Sequence, residues 1–192
     1  MNTNCLVCDA PTNNRCSGCK SVYYCSKQHI TQNWPAHKGY CKRVHEAGTQ
    51  VFDAILFAAN ETKPRLIKIP WVFGDVEEDD YPTQWHKLDC QPWLGGKDCC
   101  QRTMYVNTLG RNDPSLGHII GIRYDDNSFI NGSPPNQCIW GVTKGQAPHP
   151  WAGNLIALRA KSMPTDLYED AVPETDLEPV IQFFKEYPYR MH

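Results

Sequence analysis

Long hydrophobic runs are missing from this 192-residue sequence. The longest strongly apolar stretch covers residues 55–59, far fewer than the roughly 18 residues that a membrane-spanning helix needs. The residues before the first cysteine contain neither the charged region nor the apolar core of a secretory signal peptide. We therefore expect a soluble protein of a reducing compartment, either the cytoplasm or the nucleus.

A strong charge of either sign is also missing. The chain has 19 Lys and Arg against 21 Asp and Glu, a formal net charge of −2 and a pI near 6.4. Residues 1–48 contain six Lys or Arg against Asp9 and Glu46, formally +4, which leaves −6 for the remainder. Domains that bind nucleic acid concentrate basic residues and usually have a pI above about 9, so this balance argues against direct nucleic-acid binding.

Familiar catalytic signatures are absent as well. The sequence has no Gly-rich phosphate loop, no dinucleotide fingerprint and no recognisable arrangement of Ser, His and Asp. One acid–base candidate combines His118 at the start of a predicted strand with Asp125 and Asp126 at its end, provided that a neighbouring strand folds over them. The alternative is a hydrogen-bonded surface histidine and an Asp-Asp turn.

Cysteine and histidine, by contrast, are concentrated at the amino end. Eight of them in the first 41 positions form four pairs with metal-ligand spacing: Cys5/Cys8, Cys16/Cys19, Cys25/His29 and His37/Cys41. Two intervening residues allow a tight turn to direct both sulfurs at one ion, and a spacing of four places both ligands on one helix face. Zinc binds four such donors, so eight donors predict two closed structural sites with no position for a substrate. Spacing alone leaves open which turn pair joins which helical pair.

Disulfide bonds are the alternative use of so many cysteines. The two histidines in register with the cysteines favour a metal instead. A module of roughly 40 residues buries too little surface to offset its chain entropy. Zinc binding is therefore predicted to supply the folding energy of this segment.

The ligand spacing, together with Tyr24-Cys25-Ser26-Lys27 and Trp34-Pro35, resembles the MYND-type zinc finger over about a fifth of the chain. The resemblance implies a cross-brace with two interleaved sites. One site would contain Cys5, Cys8, Cys25 and His29, and the other Cys16, Cys19, His37 and Cys41. His29 stands where most members of the family carry Cys, a change that zinc chemistry tolerates.

The same resemblance implies a peptide-docking surface for short Pro-rich segments of Pro-x-Leu-x-Pro character. Trp34 matches the exposed Trp of the family, whereas Ile30 stands where the family usually has a Gln. Since an isoleucine side chain forms no hydrogen bonds, we expect either an altered peptide preference or loss of this function. The alternative for Trp34 is packing in the core of its own finger.

Beyond the finger, taken as residues 1–45, the sequence predicts an α+β domain over residues 46–192. Helical periodicity predicts a linking helix at residues 44–60, and Thr175 or Asp176 is predicted to cap a closing helix at residues 177–187. The spacers are too short for crossover helices, which favours a mostly antiparallel sheet. Strands are predicted at residues 65–73, 103–109, 117–124, 138–142 and 154–160, and an irregular loop at 74–101.

The second domain has no assigned role at this point. Segments 117–122, 131–136 and 151–154 resemble a downstream domain of fungal MYND-containing proteins. Two functions compete: an adaptor that binds protein or peptide partners through the finger, and an enzyme that acts on a small molecule in an apolar pocket of the second domain, with the finger as scaffold. The remaining cysteines are predicted to be small buried residues rather than a third metal site with His86: Cys90, Cys99, Cys100 and Cys138.

Overall fold

A computed structural model describes residues 3–74, 85–95, 99–110, 113–162 and 167–188 of the chain. Residues 3–26 contribute turns and isolated bridges that lead into a long helix, α1 (Lys27–Ala47). Ser26 caps this helix, because its hydroxyl oxygen accepts the backbone N–H of His29 at 3.2 Å. The structure therefore places the second half of the finger on α1.

The second part of the chain is built on an antiparallel sheet. Its described strands are β1 (Val51–Phe57), β2 (Arg65–Phe73), β3 (His86–Leu88), β4 (Gln101–Thr108), β5 (Ser115–Asp125), β6 (Leu155–Ser162) and β7 (Leu167–Glu169). They lie in the order β3-β2-β1-β6-β5-β4, and β7 pairs with β6 beyond the end of β1. Three helices accompany the sheet: α2 (Gln91–Leu94), α3 (Gln137–Val142) and α4 (Pro173–Glu186). The predicted α+β class with a mostly antiparallel sheet is confirmed.

The core of this sheet is centred on β1 and β6. Ile55, Leu56 and Phe57 are almost completely buried on the central strand β1. Helix α4 covers one face of the sheet, where the ring of Phe184 lies edge-on to that of Phe57 at 5.2 Å. None of the helices within the described ranges is long and apolar enough to cross a membrane.

The predicted linking helix at residues 44–60 is wrong over most of its length. Helix α1 ends at Ala47, and Gly48 follows with a φ of 58°, a left-handed conformation that glycine adopts without strain. Val51–Phe57 then form strand β1, which lies between β2 and β6. A short apolar run that is buried on both faces gives the same pattern as a buried helix, so periodicity could not separate the two.

Three other element predictions need correction. Residues 137–142 form α3 instead of a strand, because the side chain of Asn136 caps the helix by accepting the backbone N–H of Ile139 at 2.8 Å. The closing helix starts earlier than predicted, at Pro173, so Thr175 and Asp176 lie inside it. The predicted irregular loop contains β3 and α2, and its residues 75–84 and 96–98 lie outside the described residues. Strand β2 matches its prediction at both ends.

The finger packs on β2 through Tyr40 of α1. The hydroxyl oxygen of this buried tyrosine accepts the backbone N–H of Lys68 at 3.0 Å, and it lies 2.9 Å from the carbonyl oxygen of Lys68. The rings of Tyr40 and Trp93 meet edge-on at 4.8 Å, and Trp93 packs against the apolar clusters of both parts. Because α1 continues past residue 45, the division of the chain at that position stays a prediction.

Candidate metal centres

The outer metal centre consists of Cys5, Cys8, Cys25 and His29. Asp9 closes the turn that carries the first two ligands. Its backbone N–H donates to the carbonyl oxygen of Cys5 at 2.9 Å, and its φ is 56°. Cys25 directly precedes the capped start of α1, and His29 lies in its first turn. The Cys25 Sγ is 3.1 Å from the His29 Nδ1. It is also 3.6 Å from the Sγ of Cys8, although the two cysteines are 17 positions apart in the sequence.

The inner metal centre consists of Cys16, Cys19, His37 and Cys41. His37 and Cys41 lie one turn apart on the buried face of α1. The Cys16 Sγ is 3.7 Å from the Cys41 Sγ and 3.4 Å from the His37 Nε2. Gly18 is required between the two turn cysteines, because a Cβ atom there would lie 2.7 Å from the Cys41 Sγ.

The donor geometry of both centres fits zinc. Within each group the four ligand atoms all lie within 4.8 Å of one another. A tetrahedral ion with Zn–S bonds of about 2.3 Å holds its sulfurs about 3.8 Å apart, close to the observed 3.6 and 3.7 Å. A disulfide would require about 2.05 Å, and all ten cysteines are free. The two centres are therefore two closed zinc sites in the interleaved pairing that the family resemblance implied.

Each centre of the metal-free chain combines a thiol of lowered pKa with a thiol of raised pKa. Burial acts to raise the pKa of Cys16 in the inner centre, but hydrogen bonds outweigh it and lower this pKa, and the pKa of Cys25 in the outer centre is raised to about 11, chiefly by its hydrogen bond with Cys8. Burial raises the pKa of the Cys19 thiol to about 12 and also raises the pKa of Cys41. Burial raises the pKa of Cys5 as well, but hydrogen bonds from nearby backbone N–H groups and from His29 outweigh this effect and lower it to about 6. Zinc must displace the remaining thiol protons, so binding releases protons and weakens as the pH falls. Burial lowers the pKa of His37, which keeps its imidazole in the neutral form that binds metal.

The interleaving predicts that one lost ligand disrupts both centres. We expect Cys25→Ser to abolish binding of both zinc ions, because the outer ligand pairs enclose the inner turn pair along the chain. Zinc content and amide hydrogen exchange of the finger measure this effect, and Cys100→Ser in the second domain is the matched control, which should retain two zinc ions. Retention of one zinc with unchanged protection of the finger amides would contradict the prediction.

The acid–base candidates are not brought together. His118 and Asp125 lie near opposite ends of β5, roughly 23 Å apart for seven residues of extended strand. The His118 Nε2 instead lies 3.0 Å from a carboxylate oxygen of Asp176 on α4. Asp125 accepts the backbone N–H of Cys100, just before β4, at 2.8 Å and that of Asn127, in the turn that follows β5, at 3.0 Å. Asp126 lies 3.7 Å from the Arg102 Nε. The structure therefore does not place these residues in one group, and a catalytic role for them stays a prediction.

The peptide-docking candidates lie together on the exposed face of α1. Ile30 and Trp34 are one helical turn apart and expose 38% and 45% of their surfaces. The Trp34 ring packs edge-on against the His37 ring at 5.9 Å, so it combines packing on its own finger with a free face.

A groove of about 630 Å³ continues from Trp34 along this helix. We call it the α1 groove, and it is lined by Gly18, Trp34, Lys38, Gly39, Cys41, Lys42 and His45. Lys38 and Lys42 are spaced by four and eight residues from Trp34, a helical spacing that could have indicated their place on this face from the sequence.

The cysteines outside the finger form no further metal cluster within the described ranges. Cys90 and Cys138 are completely buried, and burial raises the pKa of each thiol to about 12. His86 does not share a metal site with these two cysteines. Its Nδ1 accepts the backbone N–H of Tyr168 at 2.9 Å. Among the tryptophans of the second domain, Trp151 is buried in the core and Trp140 is exposed on α3. Aromatic content there reflects core packing to a large extent.

Comparison with known proteins agrees with the geometry of the metal centres. Residues 4–41 match the family described as MYND finger. The chain is similar to ubiquitin C-terminal hydrolase 15 of Oryza sativa subsp. japonica, with 27% identity over 157 residues that cover 73% of this chain and 16% of the relative. It is also similar to the Rho GTPase-activating protein gacZ of Dictyostelium discoideum, with 40% identity over 37 residues, 19% of this chain and 4% of the relative.

The chain thus spans only a small part of the length of either relative. No solved structure matches it. The likeness of its second domain to fungal MYND-containing proteins stays a prediction. Residues 4–41, however, match the family by sequence and carry its eight ligands in two tetrahedral groups. This segment is a MYND finger with two zinc sites, followed by an α+β domain.

Proposed function

We propose that the finger is a protein-interaction module that docks short Pro-rich segments of a partner protein against Ile30 and Trp34. The observation that carries this proposal is the half-exposed Trp34, which lies one turn from exposed Ile30 and opens directly into the α1 groove. Large apolar side chains on a polar helix face are typical of binding surfaces when they lie side by side. Both zinc sites are closed, so the finger positions this surface and provides no metal-bound substrate position.

The chemistry of the surface suits an extended, proline-containing segment. Such segments enter binding in a preformed conformation, lose little entropy and pack their rings on exposed aromatic side chains. Ile30 supplies only apolar contact, so a leucine or proline opposite it is favoured over a residue that requires an amide partner. The two relatives are named for unrelated activities, which supports a binding module more than it supports either reaction.

Substitution of Trp34 tests this proposal. We expect the zinc-loaded full chain to bind a fluorescent Pro-x-Leu-x-Pro peptide at micromolar concentration, and Trp34→Ala to weaken binding at least tenfold, as is usual for an aromatic anchor. Fluorescence anisotropy measures the affinity, and zinc content verifies that the finger is folded. The matched control is Trp140→Ala, which removes a tryptophan that is 65% exposed on α3.

Two results would contradict the proposal. One is equal peptide affinity of the Trp34→Ala variant and the unmodified chain. The other is the absence of binding to the unmodified chain at millimolar peptide.

If Ile30 selects an apolar residue, Ile30→Gln should change the preference among peptides that differ at the leucine, while leaving Trp34-dependent binding intact.

A further inference from the structure

The exposed face of α1 beside the α1 groove is apolar at one end and cationic at the other. Ile30, Trp34, Lys38 and Lys42 follow one another at intervals of four residues along α1. This spacing places each side chain one turn beyond the last, about 6 Å further along the helix. A segment lying in the groove would therefore contact apolar side chains first and two ammonium groups next.

The two lysines are the dominant charges beside the groove. Among the residues that line it, Lys38 and Lys42 are basic, His45 is titratable, and Asp and Glu are absent. Glu46 lies 3.6 Å from the Lys42 ammonium, but the two side chains are 59% and 75% exposed, and such solvent-exposed pairs are weak. The inner zinc centre beneath Cys41 carries one net negative charge when three thiolates bind Zn²⁺, which reduces the positive potential without cancelling it.

The floor of the groove is open at Gly39. This glycine lies inside α1, where alanine would be more favourable for the helix. Apart from its two chain neighbours and the backbone of the surrounding helix turns, no atom of the described residues lies within 4 Å of the position that a Cβ atom of residue 39 would occupy. The fold itself therefore does not require glycine here, and the missing side chain leaves room between Trp34 and Lys42 for the backbone of a bound segment.

We propose that the segment recognised by the finger carries two or more Asp or Glu residues on one side of its apolar Pro-rich anchor. The anchor contacts Ile30 and Trp34, the backbone passes over Gly39, and the acidic residues lie over Lys38 and Lys42. Charge complementarity selects this partner, because opposite charges across a partly exposed surface increase both association rate and specificity. This inference rests on the proposed peptide-docking function and defines its substrate class.

Three peptides with the same Pro-x-Leu-x-Pro core test the inference on the zinc-loaded full chain. One has neutral flanks, one has three Glu residues before the core, and one has them after it. Because the lysines lie at only one end of the anchor, we expect a single acidic peptide to bind roughly five- to tenfold more tightly than the neutral peptide. The gain should largely disappear at about 1 M salt, where the Debye length is only about 3 Å.

Charge reversal of the groove is the matched variant. Lys38→Glu/Lys42→Glu should remove the gain of the acidic peptide, so that it binds this variant no more tightly than the neutral peptide does. The control is Lys63→Glu/Lys144→Glu, which makes the same charge change at two exposed positions outside the groove. A second variant, Gly39→Leu, adds a side chain in the open space and should weaken all three peptides while zinc content stays at two ions.

The outcomes separate this inference from the proposed function. Equal binding of all three peptides, with loss on Trp34→Ala, would overturn the acidic preference and leave the peptide-docking function standing. Absence of binding by any peptide would overturn both. Competition by a single-stranded oligonucleotide as effective as the acidic peptide would overturn the assignment to a peptide, because the lysines would then bind polyanions without regard to the anchor.

Discussion

Removal of zinc from the reduced chain is expected to unfold the finger and to leave the second domain folded. Structural zinc sites in small modules contribute about 10–16 kcal/mol of apparent binding free energy, which is folding free energy. The apolar cluster of the finger contains only seven buried residues, three of which are themselves ligands: Cys5, Cys19, Val22, Tyr24, Tyr40, Cys41 and Val44. Such a cluster cannot replace the metal.

Hydrogen exchange with a strong chelator measures this effect directly. Amides of residues 3–47 should exchange rapidly without zinc, whereas those of β1, β5 and β6 should stay protected, because these strands belong to a separate apolar core. Restoration of zinc should restore protection of the finger. Persistent protection of the finger amides in metal-free protein would contradict the prediction, and so would loss of protection in the central strands.

Replacement of Asp176 is expected to cause a large loss of stability in the second domain. Asp176 is completely buried near the start of α4. Its carboxylate accepts hydrogen bonds from Arg159 Nε and Nη2 at 3.0–3.1 Å and from the backbone N–H of Val172 at 2.6 Å, and it lies 3.0 Å from His118 Nε2. Asp176→Ala leaves the Arg159 charge without its partner, so the free energy of unfolding should fall by about 3–5 kcal/mol.

Urea unfolding followed by tryptophan fluorescence measures this loss. Asp126→Ala is the matched control, since Asp126 is half-exposed and lies 3.7 Å from Arg102; its removal should cost under about 1 kcal/mol. Zinc content should stay at two ions in both variants, because neither residue contacts the finger ligands. A loss below about 1 kcal/mol for Asp176→Ala would show that the buried charge network is not important for stability.

The ligands of the metal centres could be predicted because their geometry is local. A spacing of three or four residues fixes the relation of two donors within one turn of chain, whatever the rest of the protein does. The strands β2, β4, β5 and β6 were likewise recognised from β-branched residues between turn signals. Residues 44–60 were misread because burial on both faces of β1 depends on β2 and β6, which pair with it from distant parts of the sequence.

The sequence by itself thus determined the metal, its eight donors and the class of fold, since each depends on residue type and short spacing. Only the tertiary structure decided which residues that are distant in the sequence contact one another. It brought His118 and Arg159 to Asp176 instead of to Asp125, and it left the face of α1 around Trp34 uncovered. The physical reason is that packing of whole helices and strands, and not local chain geometry, sets these distances.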